Sequence, residues 1–246
     1  MPINVDTVYQ KVLTIANKEQ RGYITPQEFN LFANQAQMEI FEQYFYDTSQ
    51  FKRGMGNDSE YHDMIDLIDE KLYDFKKSVS VTNGTSLDSL TNFYRLGDVY
   101  SLESGYSPAN YNPFSKSVCV EEIRQEDLIK TKNSPLTKAT NTRPIYYVQE
   151  GKMYFFPETA PYSGTYRAYY ISKPAKVNWT YLIDSSNQNA LYNSNATDHQ
   201  DFELHISEEP KLIIKILQLA GVSIKDFNLA QLAGQKEISV KQQEKQ

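Results

Sequence analysis

The sequence predicts an α+β fold in which a helical bundle, built from N- and C-terminal segments, carries a β-rich insertion, an antiparallel sheet or small barrel. Three observations predict it. Apolar residues recur at three-and-four spacing up to residue 77 and again after residue 206. Between 78 and 180 the period falls to two and turn residues recur. Chain ends usually lie near one another, so the outer segments can share one helical layer. The expected organisation is 1–77 for the N-terminal helices, 78–180 for the insertion, 181–206 for a Ser/Asn-rich excursion and 207–246 for the C-terminal helices and tail.

Val5, Val8, Val12 and Ile15 share a helical face that begins near Asp6 and ends in the polar run 17–22. The next helix has the clearest start signal in the chain. Thr25 as N-cap, Pro26 at the first helical position and Glu28 at the third form a capping box, with Ile24 and Phe29 as its hydrophobic staple. Phe29, Phe32, Ala33, Ala36, Ile40, Phe41 and Tyr44 then carry an aromatic stripe to about Tyr46. After a loop over 54–59, Tyr61, Met64, Ile65, Ile68, Leu72 and Phe75 repeat the pattern as a third helix.

Candidate strands are 78–81, 93–96, 99–102, 117–123, 145–149, 152–156 and 166–171. Turns are expected at Asn83-Gly84, Gly97-Asp98, 105–108, Asn112-Pro113, Glu150-Gly151 and Ser163-Gly164, with Glu150-Gly151 closing a tight hairpin. Residues 125–130 read as one or two helical turns, and 132–144 as a polar loop. Residues 181–200 are rich in Ser, Asn and Asp without periodicity, and read as a surface excursion or as a linker that orders against a partner. Ser207 is expected to cap a helix whose Glu208 and Glu209 favour the positive dipole end. Its Leu212, Ile213, Ile214, Ile216, Leu217 and Leu219 are apolar nearly all round, which makes it the buried centre of the helical layer, ending at Gly221. A last helix from about Lys225, with Phe227, Leu229, Ala230, Leu232 and Ala233, leads into the polar tail 235–246.

Composition excludes several function classes. Among 246 residues, 25 Lys plus Arg face 31 Asp plus Glu, a formal charge of −6, which disfavours a general phosphate-backbone binder. No apolar run reaches the roughly 18 residues that span a bilayer, and residues 1–6 have neither a basic start nor an apolar core, so secretion and membrane insertion are not expected. The single cysteine, Cys119, excludes internal disulfides and thiolate clusters and reads as a small buried residue of an alternating strand. The Asn-x-Ser/Thr tripeptides at Asn57, Asn83, Asn178 and Asn195 read as turn chemistry.

Phosphate-cradling glycine loops and a Gly-x-Ser-x-Gly nucleophile elbow are absent from the sequence. The sharpest polar constellation is His199, Asp201, Glu203 and His205. In an extended chain all four would point to one side and could hold zinc or manganese; the plainer reading is a polar strand face backed by Phe202, Leu204 and Ile206. His62, Asp63, Asp66 and Asp69 read as helix-start acids on a solvated face. Paired carboxylates for glycoside hydrolysis leave no local trace. The tyrosines Tyr146, Tyr147, Tyr154, Tyr162, Tyr166, Tyr169 and Tyr170 could stack on sugars or bases, but more often build sheet faces and subunit contacts.

Several segments resemble a known family. Ser117-Val118-Cys119-Val120-Glu121-Glu122-Ile123, Arg143-Pro144-Ile145-Tyr146-Tyr147, Lys152-Met153-Tyr154-Phe155-Phe156-Pro157, Tyr169-Tyr170-Ile171-Ser172-Lys173-Pro174 and Trp179 together resemble the middle region of head–tail connector, or adaptor, virion proteins of tailed phages. The start, Thr7-Val8-Tyr9 and Asn17 through Asn30, and the end, Phe202-Glu203-Leu204-His205 with Glu208-Glu209 and Leu217-Gln218-Leu219-Ala220-Gly221, are similar to structural proteins of short-tailed phages, the crAss-like group included.

The resemblance implies a non-enzymatic virion protein, assembled in the bacterial cytoplasm. It would form a ring of about twelve copies below the portal, bound to itself, the portal and other tail or ring proteins, with no membrane, metal or cofactor. DNA would pass through the lumen without specific binding, because repeated acidic subunits repel phosphate. The interface candidates are then Tyr146, Tyr147, Tyr154, Tyr166, Tyr169, Tyr170, Phe227, Leu229 and Leu232, with the segment from Leu229 onward ordering on the portal. A second reading is a carbohydrate-binding or glycan-degrading tail accessory protein using the Tyr-rich strands. A third is a metal-dependent hydrolase using His199 and His205.

Overall fold

The computed structural model describes residues 3–18, 24–53, 66–102, 117–158, 160, 166–183, 190–223, 235–236 and 238–239. Within them the fold is α+β. In chain order the elements are α1 (Val5–Lys18), α2 (Pro26–Arg53), α3 (66–71), β1 (Lys76–Val81), β2 (Thr85–Ser86), β3 (Phe93–Leu102), β4 (Ser117–Glu122), α4 (Leu128–Asn133), β5 (Ile145–Gln149), β6 (Lys152–Phe156), β7 (Tyr166–Ser172), β8 (Tyr181–Ile183), β9 (Ala190–Tyr192) and α5 (Glu209–Ser223). They form two compact units, Met1–Tyr73 with Pro174–Gln246, and Asp74–Lys173. Residues 174–180, assigned from sequence to the insertion, belong to the first unit.

In the first unit the capping box forms as its spacing predicts. The Glu28 N–H donates to Thr25 Oγ1 at 3.3 Å and the Thr25 N–H to Glu28 Oε2 at 3.0 Å. The Thr25 N–H and the Thr25 hydroxyl, both donating to Glu28 Oε2, hold the Glu28 carboxyl below its ordinary value. No glycine or proline interrupts 47–53, so α2 continues to Arg53 and not only to Tyr46. Its buried stripe is Phe29, Ala33, Ala36, Ile40, Phe41 and Tyr44.

A second, polar stripe on α2 was not read from the sequence. Asn30, Asn34 and Gln37 lie at i, i+4 and i+7, and their amides engage the extended segment 175–179. Asn34 Nδ2 donates to the Val177 carbonyl and Oδ1 accepts the Val177 N–H, each at 2.8 Å. Asn30 does the same for Trp179, at 3.3 and 2.8 Å. Gln37 donates to the Ala175 carbonyl at 2.8 Å and accepts the Glu203 N–H at 3.2 Å. Four helical residues rise about 6.0 Å and two extended residues about 6.6 Å, so the amide spacing matches alternate backbone groups.

α5 is less uniformly apolar than its sequence implies. Lys211 and Lys215 are buried beside Leu212, Ile216 and Leu217. Lys215 Nζ meets Glu39 Oε2 at 2.8 Å, while Glu208, expected to serve the helix dipole, is buried with Lys71 Nζ at 2.6 Å and Lys211 Nζ at 3.9 Å. Ser207 is not the cap: a 3-10 turn over Ile206–Glu208 precedes α5, and the His205 side chain accepts the Ser207 N–H. α5 ends at Ser223, past Gly221.

The second unit is a seven-stranded, nearly closed sheet of order β1-β7-β3-β4-β5-β6-β2, antiparallel except between β4 and β5. Its two edges are successive pieces of one run. Residues 76–81 pair with β7; after the 82–84 turn, Thr85 and Ser86 pair with β6. The turn itself is bonded to β6, the Gly84 N–H to the Met153 carbonyl at 2.8 Å and the Phe155 N–H to Asn83 Oδ1 at 2.9 Å, so little open edge remains. The Glu150-Gly151 hairpin forms with positive φ at both residues, 51° and 70°.

Gly97-Asp98 is not a turn; it is an irregularity inside the single strand β3. Gly97 lies where a Cβ would meet the Tyr169 carbonyl oxygen at 3.1 Å, so a side chain there would press on β7. Val81, Val99, Val120, Tyr146, Met153, Phe155, Tyr166 and Ala168 form the core. The Phe155 and Tyr166 rings stack at 4.2 Å.

Two outcomes test these contacts. Asn34→Ala leaves the Val177 N–H and carbonyl unpaired, and should cost about 2–3 kcal/mol of first-unit stability. Trp179 is the only tryptophan and is buried in that unit, so its fluorescence in urea reads the loss directly. Tyr166 donates to the Pro157 carbonyl at 2.6 Å, and burial pushes its phenol from 10.0 up to about 12. An unfolded chain releases that proton near 10, so the stability Tyr166 contributes is whole below pH 10 and is lost as pH rises to 12. Denaturant midpoints of the second unit should fall over this interval, and less steeply in Tyr166→Phe; parallel curves would contradict the burial account.

Candidate contact surface

The tyrosines expected at interfaces divide by pleat. β7 alternates, with Tyr166, Ala168, Tyr170 and Ser172 buried and Tyr169 exposed. Tyr146 is also buried, its hydroxyl donating to Glu122 Oε2 at 3.2 Å; burial, with that carboxylate, pushes its phenol well above the ordinary range. Tyr147 faces the other way, yet is buried by stacking with Tyr154 at 5.3 Å and Phe156 at 6.0 Å. Tyr146, Tyr147, Tyr166 and Tyr170, expected at interfaces, are therefore buried within their own chain. Tyr169 is exposed and Tyr154 half-buried. Phe227, Leu229 and Leu232, the helix expected from Lys225, Tyr162, His62, Asp63 and Asn57 lie outside the described residues.

The extended segment His199 to His205 does not gather its four polar side chains. Asp201 Oδ1 accepts the Val5 N–H at 2.8 Å, at the start of α1. Glu203 Oε2 accepts the Ala175 N–H at 2.8 Å, and His205 caps the turn before α5. His199 Nε2 stands 3.4 Å from the Tyr192 hydroxyl and 3.7 Å from Asp201 Oδ1. Among the described residues no three His, Cys, Asp or Glu side chains are placed to hold one metal ion. Phe202 and Leu204 are buried as expected, whereas Ile206 is exposed, because the 3-10 turn ends the alternation. Cys119, expected inside, is exposed; Val120 is the inward residue of β4.

Residues 181–200 contain an element that the sequence reading missed. β8 and β9 pair antiparallel as Tyr181↔Tyr192, Leu182↔Leu191 and Ile183↔Ala190. Both tyrosines stack on the buried Trp179 at 5.8 Å, and Tyr9 packs against it at 4.3 Å. Trp179 Nε1–H donates to Asp6 Oδ1 at 2.9 Å, fixing the indole. The directly opposed Leu182 and Leu191, and Ile183, are exposed. The six described strand residues carry no charge. This arm has an aromatic base and an apolar outer face. Three-residue strands are too short for periodicity to register, and the surviving signal is a pair of tyrosines, Tyr181 and Tyr192, bracketing a Ser/Asn run just after Trp179.

No described helix is long and apolar enough to cross a membrane. Compared with known proteins, the chain matches no family model and no curated protein.

Tyr192→Ala removes one of the rings that stack on Trp179. It should speed amide hydrogen exchange of Leu182 and Leu191 and shift Trp179 emission to the red, with the second unit unchanged; unchanged exchange would show that the arm does not depend on this stack.

Proposed function

We propose that the chain is a non-enzymatic structural subunit of a phage virion, a ring between portal and tail that lets DNA pass and docks tail components. Helices from both chain ends, α1, α2, α3 and α5, form the bundle of the ring wall. The β8–β9 arm supports this reading most. A two-stranded ribbon is marginal on its own in water, and exposed opposed leucines without charge are a poor surface for a solitary subunit. Held on a rigid aromatic base, the same face is suited to a partner protein. The acidic charge of −6 per copy suits a lumen through which DNA slides.

Native mass spectrometry of the full chain should give one closed multiple of 28.4 kDa, about twelve copies. Its peptides should appear in purified particles. Leu182→Ser/Leu191→Ser should change the unfolding free energy by no more than about 0.5 kcal/mol but lower incorporation into particles. A strict monomer absent from particles would overturn the proposal.

A further inference from the structure

Two exposed patches carry opposite charge. In the second unit, residues 128–143 hold Lys130, Lys132, Lys138 and Arg143 and no acid, in a chain whose net charge is −6. Between the cations stand Ile129, 71% exposed, and Leu136, 91% exposed, the most accessible large apolar residue described. Two of the four cations are paired with acids that flank the stretch, so its excess positive charge rests on Lys132 and Lys138. Lys130 leans on Asp127 at 3.3 Å, Arg143 pairs with Glu121 at 2.6 Å, and Lys132 lies over the Phe156 ring at 3.7 Å. Lys138 is exposed on the Ser134–Lys138 turn, whose backbone closes through the Lys138 N–H and the Ser134 carbonyl at 3.1 Å.

In the first unit, residues 66–73 hold Asp66, Asp69, Glu70 and a single cation, Lys71. That lysine turns onto the buried Glu208 at 2.6 Å, so it does not neutralise the outer face. Ile68 and Leu72 bury the inner face of α3; Asp66 and Glu70 are exposed, beside Leu67 at 51% and Tyr73 at 75% exposure. Each patch therefore offers large apolar side chains among charges of one sign, and the signs are complementary.

We propose that the basic 128–143 patch of one copy docks on the acidic α3 patch of the next. The occupant is a second copy because charge complementarity and the paired apolar residues come from the same chain. Because the two patches differ, the contact is heterologous: head-to-tail addition closes a ring when the rotation per copy allows it. Ile129 and Leu136 pack on Leu67 and Tyr73, and the surrounding charges set register and suppress the like-charged pairings. This inference rests on the ring reading and names the two patches through which neighbouring copies would join.

The test is a charge swap in the full chain, read by light scattering and native mass spectrometry. Lys130→Glu/Lys138→Glu leaves the Lys132–Phe156 contact alone, and Asp66→Lys/Glu70→Lys leaves Lys71 alone. Each pair should weaken assembly roughly tenfold or more at low salt, because like charges then face each other. All four changes in one chain should restore assembly, a recovery that mere damage to either patch would not give. Leu136→Ser should weaken assembly with little salt dependence. A wild-type ring left intact by both reversals overturns this pairing and spares the ring reading. A wild-type monomer overturns the ring reading itself. If the lysine reversal leaves assembly intact and abolishes retention of duplex DNA at low salt, the basic patch serves nucleic acid and the pairing is wrong.

Discussion

The first unit depends on a match between two repeats, a helix that presents an amide every turn and an extended chain that presents an N–H and a carbonyl every second residue. Asn is a poor helix former, costing up to about 0.7 kcal/mol relative to Ala in a helix interior. At Asn30 and Asn34 that cost is offset by two hydrogen bonds each to an extended segment that also bridges Gln200 through Asn178. A net bond of about 1 kcal/mol, and a larger penalty for leaving buried groups unmade, decides the balance in favour of the amides. Gln37 extends the same device to the Glu203 N–H, so α2 tethers two segments that are remote in sequence. The tether sets where Trp179 sits, and Trp179 is the base of the β8–β9 arm.

The second unit solves a different problem, how to insert a closed sheet into another unit's chain. Its first and last strands are antiparallel neighbours, Lys76 opposite Ile171, so the insertion begins and ends at adjacent points. The Ser172 hydroxyl bonds the Phe75 carbonyl at 3.3 Å and ties the two ends further. Because the run 76–86 also reaches β6, the sheet hides its edges in its own chain. Tyrosine does much of the filling. Tyr146, Tyr166 and Tyr170 each keep a hydroxyl bonded while burying a ring, which accounts for a tyrosine-rich β region without a ligand.

What was legible in the sequence was local. The capping box at Thr25, the Glu150-Gly151 hairpin and strands β5, β6 and β7 each have their cause within a few residues, and they form where the sequence places them. What was not legible depends on partners far along the chain. Nothing near Asn34 announces Val177, 143 positions away, and nothing near Glu208 announces Lys71. The polar constellation from His199 to His205 was visible as residue types, yet Asp201 and Glu203 accept backbone N–H groups of other segments and His205 caps the turn that follows it. Pleat parity decided the tyrosines of β7: the residues were recognisable, but which face each presents is set by register, and a shift of one position would exchange Tyr169 and Tyr170.

Under the proposed ring, the distribution of charge bears on how an acidic subunit would both join its neighbours and repel DNA. A uniform excess of acid would push copies apart as strongly as it pushes phosphate. The chain instead keeps the stretch 128–143 free of acids and turns the one lysine of 66–73 inward onto Glu208. Opposed patches act over a contact distance, where desolvation strengthens them, while the net charge acts over the Debye length of roughly 8–10 Å and beyond. In the assembly proposed, segregation within the subunit would permit attraction between neighbours without cancelling the negative field of the whole. Under the proposed ring these two scales divide the work, since short-range complementarity holds the wall together and the longer-range field keeps the passing duplex from adhering to it.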